Sequence, residues 1–150
     1  MDWYFAYGSN MNPARMQARG VAFAAALSAR LPGYGLCFNK RAHDQVGAAY
    51  ANIRHQRDGV VEGVLYRLPN LDEIAKLDVY EGTPVFYSRE RFALHSAAGV
   101  QAAWVYVANP AFRGDGGLPT RAYLQHLLEG RALLSAAYWQ QLAAHPTLDA

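Results

Sequence analysis

Glu81 stands in the run Leu77-Asp78-Val79-Tyr80-Glu81-Gly82, where an apolar helical repeat gives way to glycine. A carboxylate at the mouth left by a buried helix end is partly desolvated, which raises its pKa toward neutrality and suits it to general base work. On position alone, a helix-terminal surface acid is the simpler reading. Asp78 is the nearest rival, and it sits as naturally on a solvated face. The second candidate is backbone rather than side chain. Trp3-Tyr4-Phe5-Ala6-Tyr7 favours a half-buried strand, and Gly8-Ser9-Asn10 breaks it with three turn formers. A strand stopping in such a turn can present free amides to a ligand, or it can simply end.

Other chemistries find little support. His43, His55, His95, His126 and His145 are scattered, with no His-x-His or His-Glu-x-x-His pair and no Cys-x-x-Cys, so no metal and no cofactor is expected. The single cysteine, Cys37, lies between apolar neighbours and away from any helix start, which predicts a small core residue rather than a nucleophile. There is no Gly-x-Ser-x-Gly elbow. Gly114-Asp115-Gly116-Gly117 lacks the Lys-Ser/Thr of a phosphate loop and the spacing of a dinucleotide fingerprint, so it is a flexible connection.

The elements that must position these groups follow from pattern and turn chemistry. A first strand covers about 3–7, and Asn12-Pro13 opens a short helix through Gln17 as cap and first helical residue. Segments 22–31 and 34–39 form two arms of a strand pair around a Pro32-Gly33 turn, followed by a polar loop over 40–45. Further strands cover 48–53 and 60–68, separated by a loop at Asp58-Gly59. Asn70-Leu71-Asp72-Glu73 is a capping-box variant that starts a helix running to about Val79, with Leu71, Ile74 and Leu77 at helical spacing. Strands at 87–95 and 100–109 precede an amphipathic helix that opens at Leu118-Pro119-Thr120, carries Tyr123, Leu124, Leu127 and Leu128 on one face, and stops near Gly130. A closing helix covers 135–144. Many strands with interspersed helices and no regular βαβ alternation predict an α+β fold, a small mixed β-barrel or curled sheet flanked by helices.

Composition sets the outer bounds. At 150 residues, 52% hydrophobic and 17% charged, the chain has the profile of one soluble globular domain over 1–150. A net charge of +2 without basic runs argues against nucleic acid or an anionic membrane as partner. One cysteine accords with a reducing cytoplasm. The acidic Asp2 and the absence of a basic region before an apolar stretch argue against a signal peptide, and no run approaches the ~20 apolar residues of a membrane span.

Several spaced motifs carry a resemblance. Tyr4-Phe5-Ala6-Tyr7-Gly8-Ser9-Asn10-Met11, Val61-x-Gly63-Val64-Leu65-Tyr66, Leu77-Asp78-x-Tyr80-Glu81-Gly82, Trp104-x-Tyr106 and Pro119-Thr120-x-x-Tyr123 with Gly130 follow one another in order over nearly the whole chain. In this the sequence resembles the γ-glutamylcyclotransferase family (AIG2-like). The glutathione-specific branch carries a Tyr-Gly-Ser-Leu type loop and γ-glutamylamine enzymes a Tyr-Gly-Thr-Leu loop. The loop Tyr-Gly-Ser-Asn-Met looks instead like the branch acting on γ-glutamyl amino acids.

The resemblance implies an enzyme converting γ-glutamyl amino acids or γ-glutamyl amines to 5-oxoproline and the free amine. The substrate's own α-amine attacks its γ-carbonyl, so neither triad nor metal is needed, and proximity supplies much of the acceleration. By family position Glu81 is the general acid and base. Tyr4, Phe5, Ala6, Tyr7, Gly8 and Ser9 form the pocket floor, Asn10 shapes the turn, and Tyr123 contacts substrate through its hydroxyl. Tyr7 is equally a core strand residue, and Tyr123 has core packing as its alternative. A non-catalytic ligand-binding relative would keep the loop, although the presence of Glu81 argues against it. A pathway-specific cyclotransferase that removes a γ-glutamyl group from a metabolite would use the same residues.

Overall fold

A computed structural model describes residues 2–149; Met1 and Ala150, which the one-domain expectation includes, lie outside the described residues. Among the described residues the strands are β1 (Asp2–Ala6), β2 (Ala25–Arg41), β3 (Ala49–Leu68), β4 (Tyr87–Ser96) and β5 (Gly99–Ala108). They close into a barrel in the order β1-β3-β2-β4-β5. Neighbours run antiparallel except β1 and β5, which meet in parallel with Tyr4 opposite Trp104. Helices α1 (Pro13–Ala18), α2 (Leu71–Glu81), α3 (Arg121–Leu128) and α4 (Ala136–Ala143) complete the expected α+β class, and the sheet closes rather than remaining an open curl. No helix is long and apolar enough to cross a membrane among the described residues.

The expected strand pair at 22–31 and 34–39 is one strand. Pro32 and Gly33 bend β2 instead of reversing it, and both halves pair with β3, from Ala25 opposite Arg67 to Arg41 opposite Ala49. Strand β3 is likewise continuous where a loop was expected at Asp58-Gly59. The register shifts between Pro32 opposite Val60 and Tyr34 opposite His55, with Gly33 at φ +83° and Asp58 at φ +60°. Proline withholds a ladder hydrogen bond and a left-handed residue adds twist, so the two breakers sit at one irregular level and bend both strands together. Lys40 and Arg41, expected in a polar loop, are the last residues of β2.

Local chemistry explains the helix ends. Asn12, Asn70, Thr120 and Ser135 each cap a helix by accepting an N–H from its first turn. Helix α2 runs two residues further than the spacing predicted, to Glu81, and stops at Gly82, whose φ of +64° is the left-handed cap that glycine adopts without strain. Phe5, Val61, Leu65, Leu94 and Val105 from the strands and Ile74 and Leu77 from α2 are fully buried in the shared core. Cys37 departs from expectation: it is half-buried, with its thiol directed at the Asn52 carbonyl oxygen at 3.5 Å.

Candidate active site

Strand β1 stops pairing with β3 at Ala6 opposite Val64, and the chain turns through Gly8 into a 3-10 turn over Ser9–Met11. The first bond of that turn runs from Met11 N–H to the Gly8 carbonyl at 3.0 Å. The N–H groups of Gly8, Ser9 and Asn10 precede it and have no acceptor within the turn. Side chains hold the loop in place. Asn10, 2% exposed, donates to the Tyr4 hydroxyl at 3.0 Å, while its carbonyl accepts the Tyr66 hydroxyl at 2.6 Å and its side-chain oxygen accepts from Arg19 at 3.0 Å.

The loop borders a cavity of about 290 Å³ into which α2 delivers its last residue, Glu81. The Glu81 carboxylate is poorly served. Its contacts are a long 3.5 Å approach from Asn10 Nδ2 and the Arg19 guanidinium at 4.0 Å, and its side chain retains 19% exposure. Desolvation therefore outweighs the attraction of Arg19, Arg15 and Lys40, and the Glu81 carboxyl is pushed up to about 7. Asp78, one turn earlier, is engaged elsewhere, accepting the Tyr106 hydroxyl at 2.7 Å and Arg89 at 2.9 Å. It is an anchored acid and not a competitor for the cavity.

Tyr123 enters from α3. Its hydroxyl oxygen accepts the Ala51 N–H at 3.1 Å, which leaves its own proton free for another acceptor. That hydroxyl lies close to the loop: a Cβ on Gly8 would approach it to 3.2 Å. Tyr7 lines the cavity while donating its hydroxyl to the Tyr106 carbonyl, so its ring and not its proton faces the space. Burial raises the pKa of Tyr4, Tyr7 and Tyr123, keeping all three as neutral phenols near neutral pH.

The family model described as gamma-glutamyl cyclotransferase, AIG2-like, matches residues 4–131. The chain belongs to this family. Among solved structures, one named gamma-glutamyl cyclotransferase is 22% identical with a TM-score of 0.83, covering 97% of this chain and 88% of its own. An uncharacterized protein from Homo sapiens is 23% identical with the same TM-score and the same coverage. A gamma-glutamyl cyclotransferase specific to glutathione from yeast is 16% identical at a TM-score of 0.68, covering 94% and 93%. At these identities the structures establish a shared fold. No curated protein sequence matches the chain.

In this family member the cavity brings together Tyr4, Phe5, Tyr7, Gly8, Ser9, Asn10, Glu81 and Tyr123 from β1, its loop, α2 and α3. Ala6 is the exception among the expected floor residues. It is buried against β3, with its carbonyl so close to Gly63 that a Cβ there would come within 2.3 Å. Sequence reasoning missed Arg15, Arg19, Lys40, Tyr50, Phe86 and Tyr87, which also line the cavity. The two arginines were traceable, because they are four residues apart around the short helix that Asn12 caps. Arg15 lies against His126, Nη1 to Nε2 at 3.2 Å; a guanidinium only donates, so this contact needs a neutral ring, and burial lowers the His126 pKa accordingly.

Proposed function

We propose that this chain is a γ-glutamylcyclotransferase that converts γ-glutamyl amino acids or γ-glutamyl amines to 5-oxoproline and the free amine, with Glu81 as general base and then general acid. The observation that carries the proposal is a carboxyl group poised near 7 in a cavity whose other border is the Tyr-Gly-Ser-Asn turn. A group titrating near the working pH both accepts and returns a proton with little driving-force penalty. Family membership supports the reaction type.

The chemistry then needs no further reagent. Glu81 takes a proton from the substrate α-ammonium, and the freed lone pair attacks the γ-carbonyl carbon to close a five-membered ring. In this reading the N–H groups of Gly8 and Ser9 and the unspent Tyr123 proton donate to the negative charge that grows on the carbonyl oxygen. The tetrahedral species collapses by breaking the bond to the leaving nitrogen. Two protons leave the attacking nitrogen in all, and both end on the departing ammonium, relayed by Glu81. Water takes no part. A half-buried lone thiol accords with a reducing cytoplasm as the setting.

The test is 5-oxoproline release from γ-glutamylalanine by the wild type and by Glu81→Gln. The wild type should form 5-oxoproline and alanine in equal amounts, and the variant should be slower by ~10²-fold or more. N-acetyl-γ-glutamylalanine should release nothing, because its nucleophile is blocked. Free glutamate in place of 5-oxoproline would make water the nucleophile and replace this reading with a hydrolase, and near wild-type turnover by Glu81→Gln would remove Glu81 from the mechanism.

A further inference from the structure

Lys40 stands in the cavity wall with N–H donors that the fold leaves unused. The residue is 3% exposed, yet among the described residues its ammonium makes no hydrogen bond or ion pair. It rests over the rings of Phe86 at 4.5 Å and Tyr50 at 5.4 Å. Aromatic faces attract a cation, but they give its three N–H donors no acceptor. Partial burial lowers the Lys40 pKa against the attraction of Asp44 and Glu81, neither of which comes within ion-pair distance. Arg19 is engaged with Asn10 and Glu81, and Arg15 reaches His126 through Nη1 while its buried Nε has no partner.

Position separates Lys40 from those two. Arg19 belongs to the Asn10 and Tyr80 side, with its guanidinium 4.7 Å from the Tyr80 ring centroid. Lys40 is paired across the sheet with Tyr50, whose ring packs on Tyr123 at 5.1 Å, and its other neighbour Phe86 lies against Gly82. The cavity therefore has Arg19 on the Asn10 wall and Lys40 on the Tyr50 and Phe86 wall, with Arg15 as a third cation in its lining. The wall at Asn10 also holds the free loop N–H groups, enough to receive one carboxylate. Lys40, on the other wall and without an ion pair among the described residues, calls for a second anionic group on the ligand.

We propose that Lys40 binds the carboxylate of the leaving amino acid, so that this chain takes γ-glutamyl amino acids in preference to γ-glutamyl amines that lack that carboxylate. This rests on the cyclotransferase reading above. A γ-glutamyl amino acid carries two carboxylates and a γ-glutamyl amine one, which matches the two cationic walls to the former. Tyr50 and Phe86 then offer apolar surface beside Lys40 for the side chain of the departing amino acid.

The experiment compares γ-glutamylalanine with γ-glutamylethylamine, which is the same molecule with the leaving-group carboxylate replaced by hydrogen. The readout is the ratio of their kcat/KM values for 5-oxoproline release, in the wild type, Lys40→Met and Lys40→Gln. Both substrates share the reacting centre, so the ratio cancels any effect of Lys40 on Glu81. The wild type should favour γ-glutamylalanine by ~10-fold or more, as expected for a charge-assisted contact, and either folded variant should bring the ratio close to one through a raised KM for γ-glutamylalanine. A wild-type ratio near one, or an equal loss with both substrates, overturns the assignment of Lys40 and leaves the cyclotransferase reaction standing. Wild-type protein that forms 5-oxoproline from neither substrate overturns the reaction itself, and Lys40's role with it.

Discussion

Replacing Glu81 with glutamine should make the protein more stable while slowing turnover by ~10²-fold or more. In the folded chain the Glu81 carboxyl titrates near 7, against an ordinary value of 4.5. At ~1.36 kcal/mol per pKa unit, this gap corresponds to about 3 kcal/mol of disfavoured ionisation. The sign follows from proton binding. Between pH 4.5 and 7 the folded state holds a proton on Glu81 that the unfolded state has lost, so stability falls as pH rises through that window. Above 7 the full penalty stands, and below 4.5 it vanishes. Glutamine has nearly the same shape and no charge to desolvate, so Glu81→Gln should match the wild type near pH 4 and exceed it by about 3 kcal/mol at pH 8. For a chain of this length that is ~6–12 °C in Tm. Urea unfolding of both proteins at pH 4, 6 and 8 measures the difference, with 5-oxoproline release as the companion assay. A gap that is absent or reversed at pH 8, or equal at all three values, would show that Glu81 is not a desolvated acid and would remove the basis for its catalytic assignment.

Two further outcomes follow from the same geometry. Gly8→Ala would bring a Cβ within 3.2 Å of the Tyr123 hydroxyl and 3.3 Å of Ala51 Cβ, so the loop must shift by a few tenths of an ångström; kcat should fall ~10-fold or more with the circular-dichroism spectrum unchanged, and full activity would show that the loop does not align the substrate. Activity should survive alkylation of Cys37 and exhaustive chelation, since burial raises the Cys37 pKa and no group of three or more His, Cys, Asp and Glu side chains among the described residues could hold a metal ion; loss of turnover to a chelator, restored by added metal, would contradict this.

Much of the fold was legible because its signals are local. Asn12-Pro13 and Asn70 were legible as caps, and their helices form where they predict; Thr120 and Ser135 cap the other two through equally local contacts. The strands β4 and β5 were equally plain from alternation, and their antiparallel pairing comes from the structure. The errors came at Pro32-Gly33 and Asp58-Gly59, where turn formers interrupt long strands. Whether such a pair reverses a chain or bends it depends on what lies opposite, and here each break faces the other across the β2–β3 ladder.

The site divides along the same line. The sequence by itself determined the chemical types: an acid at a helix end, a strand that stops in Gly-Ser-Asn, and a tyrosine on an amphipathic helix. Tertiary structure alone decided their meaning. The Glu81 carboxyl is poised near 7 because the surrounding fold buries it while Arg19 stays 4.0 Å away, too loose a partner to offset the burial. Lys40, indistinguishable in sequence from any loop lysine, becomes a cavity-lining cation with no hydrogen bond or ion pair among the described residues because β2 continues through it and carries it between Tyr50 and Phe86. Desolvation depends on every atom that surrounds a charge, and those atoms come from strands and helices far apart in the chain.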